Sequence, residues 1–232
     1  MAQMLAVATP GAYVVSVLLG SLACAALVVE GRRRPGPWRN TAAKVVGLVL
    51  LADAVSYAVA EVVAGNWSWS SSLPLALCNV AVLVTAAACW WRVALLVELT
   101  YFWGLAGTLQ GVLTPDLGTG FPHLVFFQYV VGHVAVVTAA LFLVVGMGIV
   151  PRPGAMWRVY AITIGYSAFV GIVDALTGAD YMFLRTPPSN WTALRLLGPW
   201  PWYLVTGAAV ALVLFWLLDL PFRVHRHHGV RA

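Results

Sequence analysis

The chain has 232 residues, 62% of them hydrophobic and only 9% charged, with a formal net charge of +5. A soluble globular domain carries about a quarter charged residues, so the composition excludes that class and predicts an all-α, polytopic membrane protein. The basic residues gather at 32–44 and 223–231, beside apolar stretches, which points to membrane orientation and away from nucleic acid.

About 20 apolar residues suffice to cross the hydrocarbon, and seven such segments follow in order: residues 12–29, 42–63, 73–91, 93–113, 122–150, 155–176 and 199–220. Connections this short predict a single seven-helix transmembrane domain over 1–232, with 1–11 an outer N-terminus and 221–232 a basic cytoplasmic tail. The segment around Cys24 resembles a lipoprotein cleavage site only faintly, because no basic stretch precedes it, and reads as an uncleaved first helix. Cys24, Cys78 and Cys89 lie on separate spans or eleven residues apart on one helix, ~16 Å, so a disulfide framework is excluded.

Positive charge sets the expected sense of the bundle. Arg32, Arg33, Arg34, Arg39 and Lys44 join spans one and two, Arg92 joins three and four, Arg152 and Arg158 flank the link from five to six, and Arg223, Arg226 and Arg231 end the chain. All four clusters alternate onto one side, predicted to be cytoplasmic, with the N-terminus outside and the C-terminus inside. Arg185 and Arg195, in the sixth connection, are the exceptions. Trp67, Trp69, Tyr181, Trp191, Trp200 and Trp202 mark the other side as an aromatic belt does.

Ionisable groups inside spans are the candidates for function, since each costs at least a few kcal/mol unless it faces protein or a water-filled cavity. Residues 114–133, TPDLGTGFPHLVFFQYVVGH, read as a membrane re-entry: a turn with Pro115, Asp116, Gly118 and Gly120, then Pro122 opening a helix that carries His123, Gln128 and His133 inward. Cys78 falls in the second turn of span three, after Ser70, Ser71, Ser72 and Pro74, as a nucleophile or as a small buried hydrophobe. His123, in the first turn of its helix, competes with His133 for the role of base or serves as a solvated group at the mouth. Asp53 and Glu61 lie on neighbouring faces of span two, and Glu98 is expected to pair with Arg92 or to snorkel.

The motifs LPLALCN (73–79), ELTYFWGLAGTLQGVLTPDL (98–117), FPHLVFFQYVVGH (121–133), DYMFLRTPP (180–188) and GPWPWY (198–203) together resemble a bacterial YwaF-type integral membrane family, similar to the transmembrane protein 164 acyltransferase family. The resemblance implies phospholipid remodelling with Cys78 as nucleophile and His133 as its histidine. Asn79 stands where the eukaryotic motif has a histidine.

Such a pair would work as an intramembrane lipid acyltransferase or transacylase, moving a fatty acyl group between phospholipids through a thioester, or as a lipid hydrolase where water takes the acyl group. Asn79 or Gln110 would supply oxyanion donors. Substrate contacts are expected from His123, Asp116, Tyr181 and Arg185, the last two at headgroup level. Phospholipid and lysophospholipid are the expected partners, with no cofactor, no metal and no nucleic acid, in the inner membrane of a bacterium. Two readings stand beside it: a proton-coupled small-solute transporter using Asp53, Glu61, His123, His133 and Asp174, or a non-catalytic assembly protein whose polar groups join helices.

Overall fold

The computed structural model describes residues 9–117, 119–186 and 193–229, with backbone alone for 193–194 and 224–229. Residues 1–8, Gly118, Pro187, Pro188, Trp191 and Arg231 lie outside the described residues, as does the side chain of Arg226. The described chain is helical throughout: α1 Pro10–Arg33, α2 Trp38–Val63, α3 Leu77–Trp91, α4 Ala94–Phe102, α5 Leu109–Leu113, α6 Leu124–Leu141, α7 Ala155–Thr177 and α8 Trp202–Gly229. A π-helical stretch, Trp103–Thr108, joins α4 to α5, a second, Phe142–Gly146, prolongs α6, and a short 3-10 turn spans Ala193–Leu197.

Among the described residues, five helices are long and apolar enough to cross a bilayer: α1, α2, α6 with its π turn, α7 and α8. The third expected segment is a helix of only 15 residues, starting at Leu77 and not at Leu73. Its first part is irregular because its polar backbone is satisfied from elsewhere: the Tyr166 hydroxyl donates to the Leu75 carbonyl (2.8 Å), and the Leu73 N–H donates to the Tyr181 hydroxyl (3.1 Å). At membrane depth, non-helical backbone persists only where protein or a cavity covers it. The fourth segment is divided among α4, the π stretch and α5. There the Leu109 N–H reaches back five residues to the Gly104 carbonyl, and Gly104 and Gly107 bring the backbone against Ala140 and Leu77, where an added Cβ would lie 3.1 Å and 3.4 Å from the nearest side-chain atoms.

Hydrogen bonds separate the bundle into two poles. At the basic pole, Glu98, 1% exposed, accepts from the Arg152 backbone and guanidinium and from Arg158, not from Arg92 as expected. Arg92 instead donates to Asn40, and Arg223 pairs with Asp219 at 2.6 Å. At the opposite pole the Tyr13 hydroxyl donates to the Val112 carbonyl, Ser72 donates to Glu61, and the Tyr181 hydroxyl donates to the Trp69 carbonyl. Both oxygens of buried Asp174 accept the Tyr181 N–H at 3.1 and 3.2 Å.

Glycine sets the closest approach of α2 and α3. A Cβ on Gly47 would lie 2.9 Å from Cys89 Cβ, 3.0 Å from Trp90 Cδ1 and 3.1 Å from the Ala86 carbonyl oxygen. Lipid tails are as apolar as the helix faces, so such small-residue contacts carry much of the packing. Gly47→Val is expected to destabilise the protein by about 1–3 kcal/mol through overpacking, whereas Gly165→Val on α7, where an added Cβ meets nothing within 4 Å, leaves stability near wild type. Unfolding of both variants in micelles checks this.

Candidate active site

A cavity of about 150 Å³ opens where α2, α3, α6 and the end of the π stretch converge. Cys78 and His133 both line it, together with Asn79, Asp53, Thr108 and Gln128. Because α3 begins at Leu77, Cys78 is in the first turn of the helix and not the second. The irregular approach to α3 therefore sets the thiol deep enough to share a cavity with His133, which lies nine residues into α6, ~14 Å by helical rise. The two side chains face the same space, and no hydrogen bond joins them among the described residues. Thr108, 2% exposed, has no hydrogen-bond partner for its hydroxyl among the described residues.

His133 is fixed in one tautomer. Its Nδ1 lies 2.8 Å from the Tyr129 carbonyl oxygen, one turn earlier on α6. A carbonyl has no proton to give, so in the neutral ring Nδ1 carries the hydrogen and Nε2 keeps its lone pair. The Tyr129 ring stacks on the imidazole at 4.1 Å, and its hydroxyl donates to the Gly111 carbonyl (2.8 Å) while accepting from the Asp116 N–H (3.3 Å). The Nε2 edge rests on Gly111, where a Cβ would lie 2.7 Å from Cδ2 and 2.8 Å from Nε2. The imidazole is thus clamped between an aromatic face and a bare backbone.

Across the cavity, α2 meets α6 through small and polar groups. The Asp53 carboxyl lies over Gly132, whose absent Cβ would come within 2.8 Å of Oδ2. One turn away on each helix, Gln128 Nε2 donates to the Ser56 hydroxyl (2.8 Å), which donates to the Asp53 carbonyl (2.8 Å). Gln128 is 8% exposed and its Oε1 has no partner.

The other predicted site residues fall elsewhere. Gln110 on α5 is half-buried and is not among the residues that line the cavity. His123 is exposed and caps α6 from outside, its carbonyl accepting the Phe126 N–H (3.0 Å), because the helix starts at Leu124 and not at Pro122. Asp116 joins the site through its backbone bond to Tyr129. Tyr181 is buried, with its hydroxyl committed to Trp69 and Leu73, and exposed Arg185 folds back on Asp180 through its N–H. Sequence reasoning did not select Thr108 or Tyr129. The GTLQG signature, a hydroxyl between two glycines inside an apolar helix, was the available signal for the first. The second sits one turn before His133, where it alone can offer both a stacking face and an i−4 carbonyl.

A second, apolar groove of about 470 Å³ runs between α1, α2 and α6, lined by Leu19, Ala23, Val45, Val49, Val131 and Val134 among others. It shares helices α2 and α6 with the polar cavity but none of its lining residues.

No curated protein and no solved structure matches this chain. The model of the TMEM164 family matches residues 3–219, almost the whole length, and the chain belongs to that family.

Proposed function

We propose that this multi-pass membrane protein is an intramembrane lipid acyltransferase or transacylase in which Cys78 is the nucleophile and His133 its base. The single observation that carries the reading is one small cavity shared by a thiol at a helix N-terminus and an imidazole whose Nδ1 is engaged and whose Nε2 is left basic. The thiol proton passes to Nε2, and sulfur attacks the ester carbonyl of a phospholipid. The carbonyl oxygen, charged in the tetrahedral state, meets the first-turn N–H of Cys78, which has no intrahelical acceptor, and the Asn79 amide. The Thr108 hydroxyl donates to the sulfur while it is a thiolate. Collapse releases a lysophospholipid, protonated by the imidazolium, and leaves a thioester for the next acceptor.

The apolar groove on α1, α2 and α6 supports a long aliphatic chain as the tail of this donor. Of the carboxyls that a proton path would use, Glu61 and Asp174 are bonded to Ser72 and Tyr181, and only Asp53 lines the cavity. The enzyme reading therefore stands ahead of the carrier.

Treating α3 and the α4–α5 rod as crossings gives seven spans in the cell membrane of a bacterium, with the basic pole cytoplasmic. A periplasm-active reporter fused after Ala232 is then silent, and a strong signal reverses the orientation. The decisive experiment incubates the purified protein with a phospholipid carrying an alkyne-tagged acyl chain. Hydroxylamine-labile label is expected on the wild type and absent from Cys78→Ser and Cys78→Ala; equal label on all three removes the thioester mechanism.

A further inference from the structure

At the basic pole one carboxylate is held by two guanidiniums, although it needs only one. Glu98 on α4, 1% exposed, accepts the Arg152 backbone N–H (3.0 Å) and a two-point contact from the Arg152 side chain, Nε to Oε1 at 2.8 Å and Nη2 to Oε2 at 3.0 Å. Arg158, one turn into α7, adds Nη2 to Oε1 at 3.1 Å and Nε to Oε2 at 3.3 Å. The carboxylate cancels one positive charge and leaves the other. The adjoining cation, Arg223, whose Nη2 lies 3.4 Å from Met156 Sδ, is paired with Asp219 at 2.6 Å. The surplus charge is not buried with Glu98, because the Arg152 and Arg158 side chains are 49% and 40% exposed. Arg152 Nη1 has no acceptor among the described residues, and Arg158 Nη1 gives one bond, to the Pro153 carbonyl (3.3 Å). Each Nη carries two hydrogens, so both side chains keep unused donors. The first turn of α7 holds no acidic residue to take them, and its own partial positive charge favours an anion beside it.

We propose that Arg152 and Arg158 form a binding site for the phosphate of an anionic phospholipid, at the basic pole and apart from the Cys78–His133 cavity, which neither residue lines. Glu98 holds the two planar forks together before the ligand arrives, and the two unesterified oxygens of a phosphodiester accept from them as a carboxylate would. Val150 and Trp157, beside the two arginines in the chain and each 59% exposed, offer apolar surface to the lipid chains. The charge balance selects the headgroup. One unit of surplus positive charge meets the single negative charge of phosphatidylglycerol, whereas phosphatidylcholine brings its own cation and gains less. The site stands independently of the thioester reading.

The test titrates the purified full-length protein with phosphatidylglycerol and with phosphatidylcholine of the same chains, and reads bound lipid by native mass spectrometry. Phosphatidylglycerol is expected to bind about 10-fold more tightly, as a charge-assisted hydrogen bond implies. In Arg158→Gln, where Arg152 still holds Glu98, the preference falls below threefold; Arg158→Lys, which keeps the charge, stays above it. Arg33→Gln, at the exposed end of α1, matches the wild type. A second readout needs no variant: phosphatidylglycerol, and not phosphatidylcholine, protects Arg152 and Arg158 of the wild type from phenylglyoxal more than it protects Arg33. An undiminished preference in Arg158→Gln, or equal protection of Arg33 and Arg158, overturns the site. Full displacement of the lipid by glycerol phosphate at equal concentration assigns the pair to a soluble phosphate and overturns the lipid as its ligand. If Arg158→Gln does not fold, the protection pattern decides.

Discussion

Replacing His133 by alanine is expected to lower acyl transfer by about 10²- to 10⁴-fold, the range that a positioned general base contributes. The effect should be this large because a thiol in an apolar span has little tendency to ionise by itself, and among the described cavity-lining groups only this imidazole has its nitrogen lone pair set by geometry. Its Nδ1 is tied to the Tyr129 carbonyl, so Nε2 cannot switch roles without losing that bond. The side chain reaches no other helix by hydrogen bond among the described residues, so the variant should remain folded in detergent. Initial rates of acyl transfer with excess lysophospholipid measure the loss, and a variant within threefold of wild type would exclude His133 as the base.

The second large effect is expected at a residue with no side chain. A Cβ on Gly111 would lie 2.7 Å from His133 Cδ2 and 2.8 Å from Nε2, closer than real contacts allow, and 3.3 Å from the Tyr129 hydroxyl. Gly111→Ala therefore forces the ring aside by several tenths of an ångström or more. A misplacement approaching 1 Å costs about 10²-fold in rate, against an overpacking cost to stability of about 1–3 kcal/mol. If the loss acts through the imidazole, the Gly111→Ala, His133→Ala double variant is no slower than His133→Ala alone. Additive losses in that cycle would mean that Gly111 acts on something else.

His133 and Cys78 were legible in the sequence because an imidazole and a thiol with polar neighbours stand out against apolar helices. Gln128 and Asp53 were visible for the same reason, but their facing across α2 and α6 was not, since it depends on Gly132 and on the hydroxyl of Ser56 between them. The starts of α3 and α6 were misplaced by a common cause. Proline at 74 and at 122 reads as a helix opener, whereas Tyr166 and Tyr181 hold 73–75 out of helical form, and His123 remains extended as a cap. Gln110 was expected to face the site because it is polar. Thr108 does so, and residues two apart do not share a helix face. Glu98 met Arg152 and Arg158 because the polypeptide returns to it 54 residues later, a contact that local spacing does not contain.

The π stretch between α4 and α5 has a bearing on how such a site could arise or vanish. A π turn accommodates about one residue more than an α turn, so deleting one residue within Trp103–Thr108 would let the rod continue as plain α-helix, with Gln110 to Leu113 still meeting Tyr13 and Tyr129. The rearrangement would fall within the stretch itself, on Thr108 and its place in the cavity lining. In homologous chains, the spacing between the Glu98 and Gly111 positions then becomes a character to compare, informative even where the intervening letters differ.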